Sequence, residues 1–193
     1  MHDTEARSIA GQVARYLPGG GWALEASWDG YGAIVAGPDG ARLHVNPPRD
    51  GKVHVSGCFP MTDLRVTGCG VNIGASRPPA VIAAEITRRL LPGYLGQLRE
   101  VTEHNEQDAR DTEARAAIIG KIAALFPGGH VRTAGHRGTY TEALIHPAGC
   151  GTGSVEAYGD ASTVKIDIHG VPADLAMAML AVLAVGKRQE ATS

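Results

Sequence analysis

The sequence contains few cysteines and few aromatic residues, and neither sign of charge predominates. Its three cysteines, Cys58, Cys69 and Cys150, are widely spaced and form no CxxC pair, so neither a redox motif nor a zinc motif is evident. An odd number of scattered cysteines favours free thiols and a cytoplasmic location. The formal net charge is -2. Such a charge does not favour strong overall attraction to nucleic acid or to an anionic membrane, although a local basic patch is compatible with it.

Long apolar runs and catalytic motifs are also scarce. The most apolar stretch, residues 175–185, is shorter than the roughly 20 residues that span a bilayer, so it predicts a buried helix. The N-terminal sequence MHDTEARS is polar and acidic, which is unlike a secretory signal. HExxH, GxSxG and Walker motifs are absent. These features favour a non-enzymatic protein without a cofactor and without a membrane span.

The sequence carries an internal repetition. The pentamer DTEAR begins at Asp3 and again at Asp111, 108 positions later, and a Pro-Gly-Gly triplet recurs at a spacing of 109, because the second copy has one more residue between them. Towards the end of each copy, Val71 matches Val164 at a spacing of 93 positions. The difference of 16 positions predicts an extra strand and loop in residues 49–64 of the first copy. We therefore predict a duplication, with repeats at 1–108 and 109–193. Two unrelated helices with similar Pro-Gly stops are the alternative.

Each copy is predicted to fold as a helix, an antiparallel meander of four or five strands, and a second helix. The fold class is α+β, with a pseudo-twofold relation between the copies. Apolar residues recur every fourth position in both opening helices: Ile9, Val13 and Leu17 in the first copy and Ile118, Ile122 and Phe126 in the second.

Turn and helix-end signals divide each copy further. Asp29-Gly30 predicts a two-residue hairpin, because both residues tolerate positive φ. The first closing helix is predicted at 79–91, with Ile82, Ile86 and Leu90 facing inward, and the second at 172–185, ended by Gly186. The joint at 93–126 is predicted to form one long helix or two.

Two resemblances carry expectations. The segment RPPAVIAAEITRRLLPGY, residues 77–94, resembles uncharacterised proteins of high-GC bacteria and their mobile elements, a family that implies no site residues. The predicted topology is similar to that of the TATA-binding-protein repeat and of helix-grip folds. The first of these implies two sheets joined into a saddle, whose basic concave face and apolar wedges would grip DNA.

Two histidines are candidate metal ligands. If the hairpin is symmetric about Arg49, then His44 and His54 face each other on the polar side of two adjacent strands. A zinc site needs three or four ligands and no third is evident, so an exposed cross-strand pair is the favoured interpretation.

Two further groups are candidates for interaction. The densest basic group comprises Arg77, Arg88, Arg89 and Arg99, which could contact phosphates or an acidic partner, or lie solvated beside glutamates. The closing helix of the second copy is apolar nearly all round, so the other half of the chain or a second molecule must cover it. Leu175, Met179 and Leu183 are its candidate contact residues.

These observations favour a non-enzymatic binding protein that associates with a protein partner or with itself as a homodimer. One alternative is a nucleic-acid-binding protein that uses the curved sheet face. Another is an enzyme or small-ligand binder with a site in the groove between the repeats.

Overall fold

Four α-helices and nine β-strands make up the regular structure of the described residues. A computed structural model describes residues 2–27, 30–126, 128–134, 140–147 and 151–190, and for residues 2, 3, 132–134 and 183–190 it describes the backbone alone. The protein is α+β, with one antiparallel sheet of five strands and one of four. Two compact units, Met1–Asn105 and Glu106–Ser193, divide the chain.

The first unit is a helix, a five-stranded meander and a second helix. Helix α1 (His2–Val13) is followed by a turn of 3₁₀ helix and by strands that pair in chain order. Helix α2 (Pro79–Arg89) follows the sheet. The strands are β1 (Ala23–Glu25), β2 (Ala33–Ala36), β3 (Arg42–Val45), β4 (Lys52–Cys58) and β5 (Gly70–Gly74). Strand β4 lies within the segment for which an extra strand was predicted.

Alternation along the strands places one face of this sheet in a core. In β3 and β4, Leu43, Val45, Val53 and Val55 are buried, because successive side chains of a strand point to opposite faces. The two helices cover that face with residues that include Ala10, Val13, Leu17, Ile82 and Ile86. The predicted inward face of α2 is confirmed, since Ile82, Ile86 and Leu90 are all buried.

The joint between the copies is a single helix. Helix α3 (Leu91–Ala123) continues through the polar stretch 102–113, so the alternative of two helices is wrong. It is separated from α2 at Leu90, and Pro92 is its second residue. Proline is tolerated in a first helical turn, where its missing N–H would have no intrahelical acceptor.

The second unit has a four-stranded meander after the C-terminal part of α3. Its strands pair in chain order: β6 (His130–Ala134), β7 (Tyr140–Ile145), β8 (Gly153–Tyr158) and β9 (Thr163–Ile168). Helix α4 (Ala173–Glu190) follows them. The predicted end of this helix at Gly186 is wrong. A glycine ends a helix when it adopts a left-handed conformation, whereas inside a helix it costs only about 1 kcal/mol relative to alanine.

The buried face of the second opening helix differs by one position from the prediction. Arg115, Ile119 and Ala123 are buried, whereas Ile118 and Ile122 are only partly so. The positions 109 residues earlier, Ala6, Ala10 and Ala14, are also buried, as is Val13. The matched burial and the matched element order are compatible with a duplication.

The connection between β1 and β2 is longer than the predicted two-residue hairpin. Glu25 pairs with Ile34, a register centred on Asp29-Gly30, but the strands end there and residues 26–32 connect them. Asp29 lies outside the described residues. Gly32 has a φ of 73°, and a Cβ on it would lie 2.5 Å from the carbonyl oxygen of Val45. The connection therefore lies against β3 instead of extending the ladder.

Tyr94 of α3 joins the helix to the edge of β3 and β4. Its ring is fully buried, its hydroxyl accepts a hydrogen bond from the Arg42 N–H at 2.8 Å, and it donates one to the Cys58 carbonyl at 2.9 Å. A Cβ on Gly57 would lie 2.1 Å from the ring, so the strand requires glycine at this position. Burial, the larger effect, raises the pKa of Tyr94 to about 12.

We expect Gly57→Ala to destabilise the first unit by about 1–3 kcal/mol, because the added methyl overlaps the Tyr94 ring. Gly96→Ala is the matched control: it lies in α3, has no atom within 4 Å of its added Cβ, and should be neutral or slightly stabilising. Urea unfolding of the three proteins measures the difference. Equal stability of Gly57→Ala and the wild type would contradict the packing described for Tyr94.

Tyr94 should also make stability depend on alkaline pH. Its folded pKa of about 12 lies above the unfolded value of about 10, so its contribution is fully present below about pH 10 and is lost as the pH rises through 12. Tyr94→Phe should remove this part of the pH dependence. It should also lower stability at neutral pH by about 1–3 kcal/mol, because it leaves a backbone donor and a backbone acceptor unpaired. Chemical unfolding between pH 8 and pH 12 tests this, with the exposed Tyr16→Phe as control.

Candidate functional site

The two candidate metal-binding histidines are not paired across the strands. His44 lies opposite Ser56, and the Asn46 N–H donates to the His54 carbonyl, so the predicted direct pairing is wrong. The reason is the turn, which is centred on Asp50-Gly51 instead of Arg49, with both turn residues at positive φ.

Each histidine side chain has a protein partner. The Nε2 atom of His44 lies 2.8 Å from the carbonyl oxygen of Tyr31, and the Nδ1 atom of His54 lies 3.0 Å from the Oδ1 atom of Asn72. Within the part of the chain that the structure describes, no three His, Cys, Asp or Glu side chains are grouped as metal ligands would be. The histidines are hydrogen-bonding groups of the outer sheet face.

The candidate arginines lie in different surroundings. Arg88 and Arg89 are exposed on α2 and pair with Glu85 at 3.0 and 3.4 Å. The hydrogen bond from Arg88, followed by the charges of both arginines, lowers the pKa of Glu85. Arg77 precedes α2 and lies beside Gly74, and Arg99 lines a surface cavity of about 220 Å³ on α3. Exposed helical ion pairs of this kind contribute little energy, which fits solvated arginines.

The outer face of the second sheet carries charges of both signs. Glu142 and Glu156 are cross-strand neighbours, and Glu156 lies opposite Lys165. The four strands carry three carboxylates and two cations in their sequence. The carboxylates are Glu142, Glu156 and Asp167, and the cations are Lys165 and Arg132, whose backbone pairs with that of Glu142. The hydroxyl of Tyr158 donates a hydrogen bond to Glu156. This bond is the larger cause, and burial the second, of a rise in the pKa of Tyr158 to about 12. This face does not offer the positive potential that a nucleic-acid surface requires.

The second unit exposes a set of large apolar side chains on α4 and β9, which we call the α4–β9 apolar surface. Its members are between 39% and 73% exposed: Val164, Ile166, Leu175, Met177, Met179, Leu180 and Val182. A cleft of about 600 Å³ separates the strand from the helix and is lined by apolar residues, among them Ile166, Ile168, Met179 and Leu180. Surfaces of this kind mark interaction sites in folded proteins.

The strand half of this surface contrasts with the first unit. Val71 and Ile73 of β5 are buried, whereas Val164 and Ile166, 93 positions later on β9, are exposed. On β9 these two face the same side as Val155 and Ala157, the buried residues of the neighbouring strand β8. The core face of the second sheet is therefore left uncovered at β9.

The helix half shows the same contrast. Ile82 and Ile86 of α2 are each 1% exposed, whereas Leu175 and Met179, again 93 positions later, are about 40% exposed. The residues that close the first core therefore have counterparts in the second unit that remain accessible.

Sequence reasoning found part of this surface. Leu175 and Met179 were predicted as contact residues and lie in it, while the side chain of Leu183 is outside what the structure describes. Val164, Ile166, Leu180 and Val182 were missed. The alternation of VKIDIH predicts a strand with one buried face, so the sequence gives no sign that this face is open.

Among the helices of the described residues, none combines the length and the apolar character that a membrane span requires. Comparison with protein-family models, with curated proteins and with solved structures finds no match to this chain.

Proposed function

We propose that the protein is a non-enzymatic interaction protein that self-associates through the α4–β9 apolar surface. The observation that supports this is the exposure of the positions that the first unit buries. Val164, Ile166, Leu175 and Met179 stand where the first unit has buried valine and isoleucine, and all four remain apolar. Because these side chains are apolar and are not buried within the unit, they favour an interaction with another molecule that would bury them.

The size of the surface fits a dimer. The exposed fractions of its seven side chains add up to about four complete side chains. A complete apolar side chain of this size corresponds to roughly 100 Å² of apolar area. Two copies together would bury roughly 800 Å² of apolar area in this way. Stable interfaces bury about 1,200–2,000 Å² in total, of which about 60% is apolar. The surface therefore suits an interface at the lower end of the standard range, for which we expect micromolar affinity.

Other features support this function over the alternatives. The outer face of the second sheet has no excess of positive charge, which disfavours a nucleic-acid surface. Cys58 and Cys69 are free thiols, which fits the reducing cytoplasm as the location of the protein.

Leu180→Asp should abolish or strongly weaken self-association, because it places a carboxylate on the α4–β9 apolar surface. Leu180 is 60% exposed, so the change should leave the fold of the second unit intact. Met61→Asp is the matched control, since Met61 is 92% exposed and belongs to the first unit. Light scattering across the micromolar range measures the mass of each protein.

We expect a concentration-dependent dimer for the wild type and Met61→Asp, and a monomer for Leu180→Asp at the same concentrations. A wild type that remains monomeric throughout this range would reject self-association. Equal weakening by both substitutions would reject the α4–β9 apolar surface as its site.

A further inference from the structure

Resting on the self-association proposed above, we infer that the cleft between β9 and α4 receives apolar side chains from helix α4 of a second copy, with the two α4 helices antiparallel about a twofold axis. The partner in this assignment is the same chain, and the contact is reciprocal, so every interaction occurs twice.

Charge distribution along α4 supports the antiparallel direction. Asp174 lies in the first turn, and the sequence places Lys187 and Arg188 near the other end, followed by Glu190. Between Asp174 and Lys187 the helix has no charged residue. The two ends therefore carry net charges of opposite sign.

An antiparallel pair brings these ends together in complementary fashion. Asp174 of each copy then lies level with Lys187 and Arg188 of the other, at both ends of the pair. A parallel pair would bring Asp174 beside Asp174 and the basic ends together. Helix dipoles add to the preference, because an antiparallel pair sets the positive end of one helix beside the negative end of the other.

The spacing of apolar residues suits a helix as the occupant. Leu175, Met179 and Val182 are separated by four and three positions, which aligns them on one side of α4 in the manner of a helix-pairing seam. Met179 and Leu180 also line the cleft, and Ala176 leaves room there for an incoming side chain. Helix α4 of a second copy has both the apolar seam and the complementary charges. An unrelated apolar partner would match the seam without matching the charges.

A charge exchange tests the assignment in the full-length chain. Each end of the proposed pair is a junction between Asp174 of one copy and Lys187 with Arg188 of the other. Asp174→Lys makes both junctions of its homodimer positive. The double variant Lys187→Glu with Arg188→Glu makes both junctions of its homodimer negative. Each variant alone should dimerise at least about tenfold more weakly than the wild type. A mixture of the two should form a heterodimer of wild-type strength, since both junctions become complementary. Native mass spectrometry separates the species by mass, and sedimentation measures their affinities.

Neutral variants provide the matched control. Asp174→Asn, and Lys187→Gln with Arg188→Gln, remove charge without creating repulsion. Their heterodimer keeps one complementary junction, in which Asp174 meets Lys187 and Arg188, whereas each homodimer keeps none, so mixing should restore affinity only in part. These milder changes keep the test decisive if a reversed charge prevents folding, because each should still weaken the dimer and reduce its sensitivity to salt.

The outcomes separate this inference from the function on which it rests. A wild-type dimer whose affinity is unchanged by all four variants would overturn the antiparallel pairing while leaving self-association in place. Charge-reversed variants that are weakened singly but not restored by mixing would also overturn it. A wild type that is monomeric across the micromolar range would instead reject the proposed function itself.

Discussion

An antiparallel sheet with one apolar face is stable only if another layer covers that face. In the first unit this requirement is met within the unit, because α1 and α2 cover the buried, mostly β-branched side chains of β2–β5. In the second unit the C-terminal part of α3 covers part of the sheet, with Ile119 and Ala123 against Ala143 and Val155. Strand β9 keeps an apolar face that is only partly covered. The proposed function depends on this difference in cover.

The two closing helices differ in a way that matches their surroundings. Helix α2 has a polar outer side, where Glu85 pairs with Arg88 and Arg89, so only its inner side needs cover. Helix α4 has no charged residue between Asp174 and Lys187 and is apolar on every side. If α4 packed on β9 as α2 packs on its sheet, its opposite side would still expose an apolar residue, Met177. A contact between copies can cover both sides of such a helix.

Sequence patterns predicted the order of the elements better than their ends. Alternation predicted the meander, and the spacing of Ile82, Ile86 and Leu90 predicted the inner side of α2, because periodicity records burial directly. The positions of turns were harder to predict, as two Asp-Gly pairs show. Asp50-Gly51 forms a tight turn and shifts the register, so His44 and His54 are not opposite each other. Around Asp29-Gly30, the pairing of β1 with β2 ends at Glu25 and Ile34, and Gly32 of the connection lies close to the Val45 carbonyl of β3. A contact with a neighbouring strand is something that a local pattern cannot contain.

The candidate site was only half visible in the sequence for a related reason. An apolar helix such as α4 can be recognised from composition, but whether the chain itself covers it is a property of packing. Strands β9 and β5 alternate apolar and polar residues in the same way. Only the three-dimensional structure shows that the apolar face is exposed in β9 and buried in β5. Apolar area alone would also make such a surface adhere to many partners. In the proposed dimer, the opposite charges at the two ends of α4 would restrict the contact, because they favour one direction of pairing and so one partner, the same helix in another copy.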